Sequence, residues 1–272
     1  MRVVAFIGLA LMLCHCSPKK VDLFNGKDLT GWDTFIGPAY DTARKDFDSI
    51  PGTGLNNDPD HVFSVVTIDG APAIRVSGAR FGGLSTTEEF SNYHLTVEFK
   101  WGDAKYAPKL NAKRDSGLLY HGVGNHGADG GFWLRSQEFQ VQEGDCGDYW
   151  GVAGGGFDIP VVKADDNYIY NPTGQMLSFY EKSEVGRHAV KSPDAENPTG
   201  EWNTLEVYCL GDTAIHMVNG MINMVLYHSR QFDGDQATPL KKGKIQFQSE
   251  GAEVFYRNIV LERIKELPPT AF

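Results

Sequence analysis

QEFQVQEGDCGDYW, running from Gln137 to Trp150, opens as a strand and closes as a loop. Side chains along an extended chain point alternately to its two sides. Phe139 and Val141 therefore share one face, while Glu138, Gln140 and Gln142 share the other, about 7 Å apart at each two-residue step. The apolar face suits a sheet core. The polar face presents one carboxylate and two amides in a row. Gly144 and Gly147 supply the turns that follow, and Glu143, Asp145, Asp148, Tyr149 and Trp150 sit on that loop. Acid, amides and aromatic rings on a rigid strand are groups a carbohydrate cleft uses. A half-exposed strand with a solvated polar face would carry the same pattern.

Working outward, the same period of two recurs. NYHLTVEFKW (92–101) sets Leu95, Val97, Phe99 and Trp101 against His94, Thr96, Glu98 and Lys100. The first four are expected between two sheets, with Glu98 and Lys100 facing the cleft. SGLLYHG (116–122) is a further strand, ending near His121. HVFSVVTI (61–68) and AIRVSG (73–78) flank Asp69-Gly70, and Asn219-Gly220 leads into MINMVLYH (221–228); both dipeptides are hairpin signals. KIQFQSEG (244–251) and EVFYRNIVLERI (253–264) complete the series. No helical period and no blade-length repeat competes, so the chain is all-β and a two-sheet sandwich is expected. Residues 37–60, rich in Gly, Pro, Asp and Asn, predict an ordered loop or insertion. Residues 151–200 are too long for a hairpin connection and predict an insertion beside the cleft.

Composition narrows the function. The 272 residues include 31 glycines and 12% aromatics, which suits strands and turns, and the net charge of −10 argues against a nucleic-acid partner or an anionic membrane surface. At the start, Arg2 precedes an apolar run too short to span a bilayer, followed by His15, Cys16, Ser17 and Pro18. This looks like a bacterial lipoprotein signal with Cys16 as the lipidated residue and Cys14 as the alternative; an ordinary secretory signal is the other reading. Either puts the mature protein outside the cytoplasm, and a lipid anchor would hold it in the periplasm at the outer membrane. The chain thus divides into a signal segment (1–16), a linker (17–21) and one domain (22–266). Cys146 and Cys209 leave a disulfide or two buried thiols open.

Seven blocks carry a wider resemblance: LFNGKDLTGW near the start, EFKW (98–101), DSGLLYHG (115–122), EFQVQEGDCGDYW (138–150), GEWNTLEVY (200–208), HMVNG (216–220) and IQFQSEGAEVFYRNI (245–259). In this order they resemble the 3-keto-disaccharide hydrolase family, over about Asp22 to Ile264. The resemblance implies a concanavalin-like jelly-roll β-sandwich of two antiparallel sheets. It also implies activity on glycosides whose sugar has been oxidised at C3 by a separate, upstream enzyme.

The chemistry of such a substrate explains the residues. A retaining glycosidase needs two carboxylates ~5–5.5 Å apart. Jelly-roll glucanases place alternating acids on one strand, where this chain reads Glu138, Gln140 and Gln142. A C3 ketone offers another route: it acidifies the C2 proton, a base removes that proton, the enolate expels the aglycone from C1, and water adds to the enone. Glu138 is expected as the base or as a metal-anchoring carboxylate, with His121 as a second proton-transfer group. Lys100, Gln140, Gln142, Trp150, Gln248 and Glu250 are expected to bind substrate, with Trp133 and Tyr149 as further stacking rings. No particular cofactor is implied by these residues; a divalent cation such as Ca²⁺ is open, with Glu143, Asp145 and Asp148 as candidate ligands. A non-catalytic glycan-binding lipoprotein of lectin-like fold is the alternative function.

Overall fold

The computed structural model describes residues 20–269. The segment holding Cys14 and Cys16 lies outside them. Among the described residues there is no α-helix, and no helix long and apolar enough to cross a membrane.

Two antiparallel sheets face each other. The eight-stranded sheet runs in the order His188–Ala189, Tyr149–Val152, Arg135–Gln142, Asp115–Val123, Lys244–Ser249, Gly82–Thr86, Trp32–Ile36, Gly54–Leu55. The twelve-stranded sheet is built around Asn203–Leu210, Tyr93–Lys105 and Ala252–Arg263. Alternation decides which side of each strand meets the other sheet. Leu118, Tyr120, Phe139, Val141, Ile245 and Phe247 point inward from the first sheet; Leu95, Val97, Phe99, Trp101, Leu205, Val207, Val254 and Tyr256 point inward from the second. Phe247 and Tyr256 stack at 4.2 Å across the interface, and Tyr256 shares a 2.8 Å hydrogen bond with Ser116. Phe139 is fully buried here, and truncating such a ring costs ~3–5 kcal/mol. That core fixes the strand which carries Glu138.

Hairpins form where the dipeptides predict them. Asp69 and Gly70 both take positive φ (52° and 77°) between Phe63–Ile68 and Ala71–Val76, as do Asn219 and Gly220 (49° and 78°) before Met221. Cys146 and Cys209 are separate buried thiols. Burial pushes the Cys209 thiol up to about 12, so it stays protonated.

Two expectations are corrected by the fold, and the ordered loop gains detail. Residues 151–200 are not only an insertion beside the cleft: Gly155–Ala164 pairs with Met221–Asp233 in the larger sheet, and Phe157, Ile159, Val161 and Phe179 belong to the common core. The proposed linker is shorter, because Lys20 and Val21 pair with Glu262 and Leu261. Residues 37–60 include a small ribbon, Tyr40–Asp41 with Asp46–Phe47, whose Phe47 packs on Phe81 and Phe132.

Candidate active site

The outward face of the eight-stranded sheet carries a cavity of 230 Å³. Its floor is a grid made by three neighbouring strands. Across Arg135–Gln142 and Asp115–Val123, Glu138 lies opposite Leu119, Gln140 opposite Gly117, and Gln142 opposite Asp115. On the other side Leu118 pairs with Phe247 and Leu119 with Gln246, which brings Gln248 beside Gly117 and leads the chain on to Glu250. Lys109, Asp129, Trp133, Trp150, Val152 and Arg187 form the walls.

Gly117 occupies the centre of this floor for a steric reason. A Cβ there would collide with Oε1 of both Glu138 and Gln248. The two side chains therefore fold over the glycine, one from each flanking strand. Gln248 Oε1 and Asp115 Oδ1 are both buried and lack a hydrogen-bond donor. Two deeply placed acceptors waiting for donors are suited to sugar hydroxyls.

The electrostatics are uneven. Lys109 Nζ donates to both Asp115 and Glu250, and Gln142 Nε2 donates to Asp115 Oδ2 at 2.7 Å. Burial opposes the charge on Lys109, but Glu250 and Asp115 outweigh it and hold the ammonium above its ordinary value. Burial, reinforced by Asp115, pushes Glu250 up to about 8. Glu138 forms no salt bridge among the described residues. Burial, then the nearby charges of Glu250 and Asp115, push it well above the usual carboxylate range, with Arg187 only partly opposing. Two carboxyls thus share one ammonium while Glu138 has none, and the cluster retains protons that exposed acids would lose.

The walls are aromatic and fixed. Trp150 is stacked on His188 at 4.2 Å, with the Arg187 guanidinium 5.6 Å from its ring. Trp133 donates its indole N–H to the Gly82 carbonyl at 3.1 Å.

Glu138, Gln140, Gln142, Trp150, Gln248 and Glu250 are therefore brought together as expected positions of one cleft. His121 and Lys100 are not. The strand has a bulge between Tyr120 and Val123, and His121 sits there at φ 53°. Strict alternation would turn His121 to the cleft; the bulge turns it into the core against Tyr93 and Tyr120, where burial lowers it to about 4. Lys100 has the expected register, with Trp101 buried, but its strand belongs to the other sheet. It points away from the core to Asp69, 3.0 Å away. Tyr149 is buried and donates to Gln137 Oε1 at 2.6 Å, so it is not a stacking ring.

The loop acids do not converge on a cation. Glu143 binds Arg114 at 3.1 Å, Asp145 binds Lys113 at 2.5 Å, and Asp148 binds His188 at 2.8 Å. With their oxygens committed to basic partners, these residues do not fit a Ca²⁺ site. Among the described residues no group of three or more His, Cys, Asp or Glu is placed to hold a metal ion.

Lys109, Asp115, Asp129 and Arg187 complete the cleft without having been singled out in the sequence. Asp115 was within reach, since it shares parity with Gly117 on its strand. Lys109, Asp129 and Arg187 lie on connections with no period to orient them.

A family described as the 3-keto-alpha-glucoside-1,2-lyase-like domain matches residues 19–262. No curated protein matches the chain. Similar solved structures include a candidate glycosyl hydrolase from Parabacteroides distasonis, with a TM-score of 0.50 and 16% identity over 90% of this chain and 100% of that one. A second from the same organism has a TM-score of 0.46 and 19% identity over 90% and 94%. The carbohydrate-binding module CBM66 of Bacillus subtilis has a TM-score of 0.43 and 9% identity over 74% and 91%. At such identities the likeness is one of fold.

Proposed function

The chain belongs to the family of 3-keto-alpha-glucoside-1,2-lyase-like domains, whose setting is carbohydrate chemistry, and we propose that it cleaves glycosides carrying a ketone at C3. The observation that supports this most is Glu138. It is a buried carboxyl at the floor of a cleft, without a salt bridge among the described residues, with amides at Gln140 and Gln142 on its own strand and further carboxyls at Asp115 and Glu250. Once ionised, a carboxylate held in such surroundings is a stronger base than an exposed one.

Glu138 removes the C2 proton, which the neighbouring ketone has acidified. The electron pair passes into a C2–C3 enolate, then returns to form the C1–C2 double bond as the C1–O1 bond breaks. Water adds to C1 of the enone and a proton returns to C2, so the net change is hydrolysis. Asp115 and Gln248 accept sugar hydroxyls, and Trp133 and Trp150 bound the ring from the walls. An unoxidised glucoside has no ketone to stabilise the C2 carbanion and is not turned over. The substrate must come from an enzyme that oxidises a glycoside at C3.

The test follows the C2 hydrogen. A 3-keto-glucoside deuterated at C2 is expected to release its label when cleaved in ordinary water, while the unoxidised glucoside stays intact. Sugar product that keeps all its deuterium, or efficient cleavage of plain glucosides, overturns the proposal.

A further inference from the structure

Elimination leaves one proton unassigned: the departing glycosidic oxygen is an alkoxide unless something protonates it. We propose that Glu250 is a second catalytic residue, the general acid that hands its proton to this oxygen, and that Lys109 is the positioning residue that fixes it. The inference rests on the ketone-dependent reading above and extends it to the other end of the cleft.

The floor supplies the geometry. Glu138 and Glu250 lie on opposite sides of Gly117, on diagonal corners of the grid, with Glu138 and Gln248 folded low over the glycine between them. A sugar ring above that glycine meets a carboxyl at each end. Lys109 Nζ binds Oε1 of Glu250, which leaves Oε2 to carry the proton. The same ammonium stands ready to stabilise the carboxylate once the proton has gone. The charged groups acting on Glu250 are Asp115 and Asp129, which with burial favour keeping the proton, and Lys109, which opposes them. Glu138 stands across the floor, and its own proton is favoured by Glu250.

The cycle balances. Glu138 takes the C2 proton, C1–O1 breaks, and O1 leaves as an alcohol with the proton from Glu250. Glu138 is now protonated and Glu250 ionised. In hydration the Glu250 carboxylate takes a proton from the water that attacks C1, and Glu138 returns its proton to C2. Both carboxyls are restored without any further reagent.

A general acid matters in proportion to how poor the leaving group is, and this provides the experiment. Glu250→Gln is assayed on 3-keto methyl α-glucoside, whose methoxide needs a proton, and on 3-keto 4-nitrophenyl α-glucoside, whose phenoxide does not. The variant is expected to lose ~10²–10⁴-fold on the methyl substrate and to stay within about tenfold of the parent on the aryl one. C2 hydrogen exchange on 3-keto-1,5-anhydroglucitol, which has no leaving group, should be unchanged and also reports that the variant is folded. Equal losses on both glucosides, or no loss on the methyl one, overturns the assignment. Parent enzyme that neither exchanges C2 nor cleaves either ketone overturns the ketone reading itself. For Lys109, the alkaline fall in rate on the methyl substrate, expected about 8 from the Glu250 proton, should move to higher pH in Lys109→Met and stay near its place in Lys109→Arg. An unmoved limb in Lys109→Met rules out its positioning role.

Discussion

The outward faces of the two sheets are alike in sequence and opposite in physics. On the twelve-stranded sheet, Glu98 accepts from Arg257 at 2.7 Å and from Asn258 at 2.8 Å, Lys100 meets Asp69 at 3.0 Å, and Trp202 donates to the same Asp69 while its ring lies 3.7 Å from the Arg257 guanidinium. Each of these four charges has a partner of opposite sign. On the eight-stranded sheet, Asp115 and Glu250 share Lys109, while Glu138 has no salt-bridge partner among the described residues and only Arg187 at the wall opposes its burial. Charge that is matched beside solvent stabilises a surface only slightly. Charge that is buried and mismatched shifts protons, and proton transfer is what this cleft is proposed to do.

The largest expected effect contrasts the two faces directly. Glu138→Gln keeps the shape and removes the basicity, and kcat on a 3-keto-glucoside should fall ~10²–10⁴-fold. Lys100→Met, on the matched face, should leave kcat within error. Steady-state kinetics on the two purified variants decides; comparable losses would mean that the catalytic face has been assigned to the wrong sheet.

A smaller loss is expected from the centre of the floor. Gly117 has an ordinary backbone conformation, so Gly117→Ala adds no backbone strain and only displaces Glu138 and Gln248. A shift approaching 1 Å can cost up to ~10²-fold, and kcat should fall by roughly 10- to 100-fold with little change in thermal stability. Unaltered kcat would show that the Glu138 carboxyl is free to move, against the preorganised grid described above.

The smallest effect is on stability and has a defined sign. Folding raises the pKa of Glu138 above its ordinary 4.5. The stabilisation tied to its proton is complete below that value and is lost as pH rises toward the folded one. Glu138→Gln should therefore match the parent in thermal unfolding near pH 4 and become more stable than it through neutral pH, by roughly 2–4 °C for each kcal/mol relieved. Melting curves across that range test it, and a variant less stable at pH 8 than the parent would show that the carboxylate is better solvated than its burial implies.

Much of this protein was determined by local sequence. A period of two, set by backbone geometry, assigned Phe139, Val141, Leu95, Val97, Phe99 and Trp101 to the core, and residues tolerant of positive φ placed the turns at Asp69-Gly70 and Asn219-Gly220. The same period put Glu138, Gln140 and Gln142 on one outward face. It could not say which of two such faces is the cleft, because Lys100 and Glu138 alternate identically and only the packing of the sheets separates them. One extra residue in a bulge reversed His121, a change of register that the letters LLYHG do not announce. The acid cluster depends on tertiary structure alone: Lys109, Asp115, Glu138 and Glu250 come from a connection, two strands and the end of a third. A carboxyl takes its proton affinity from burial and from the charges around it, and both are fixed only when those distant segments meet.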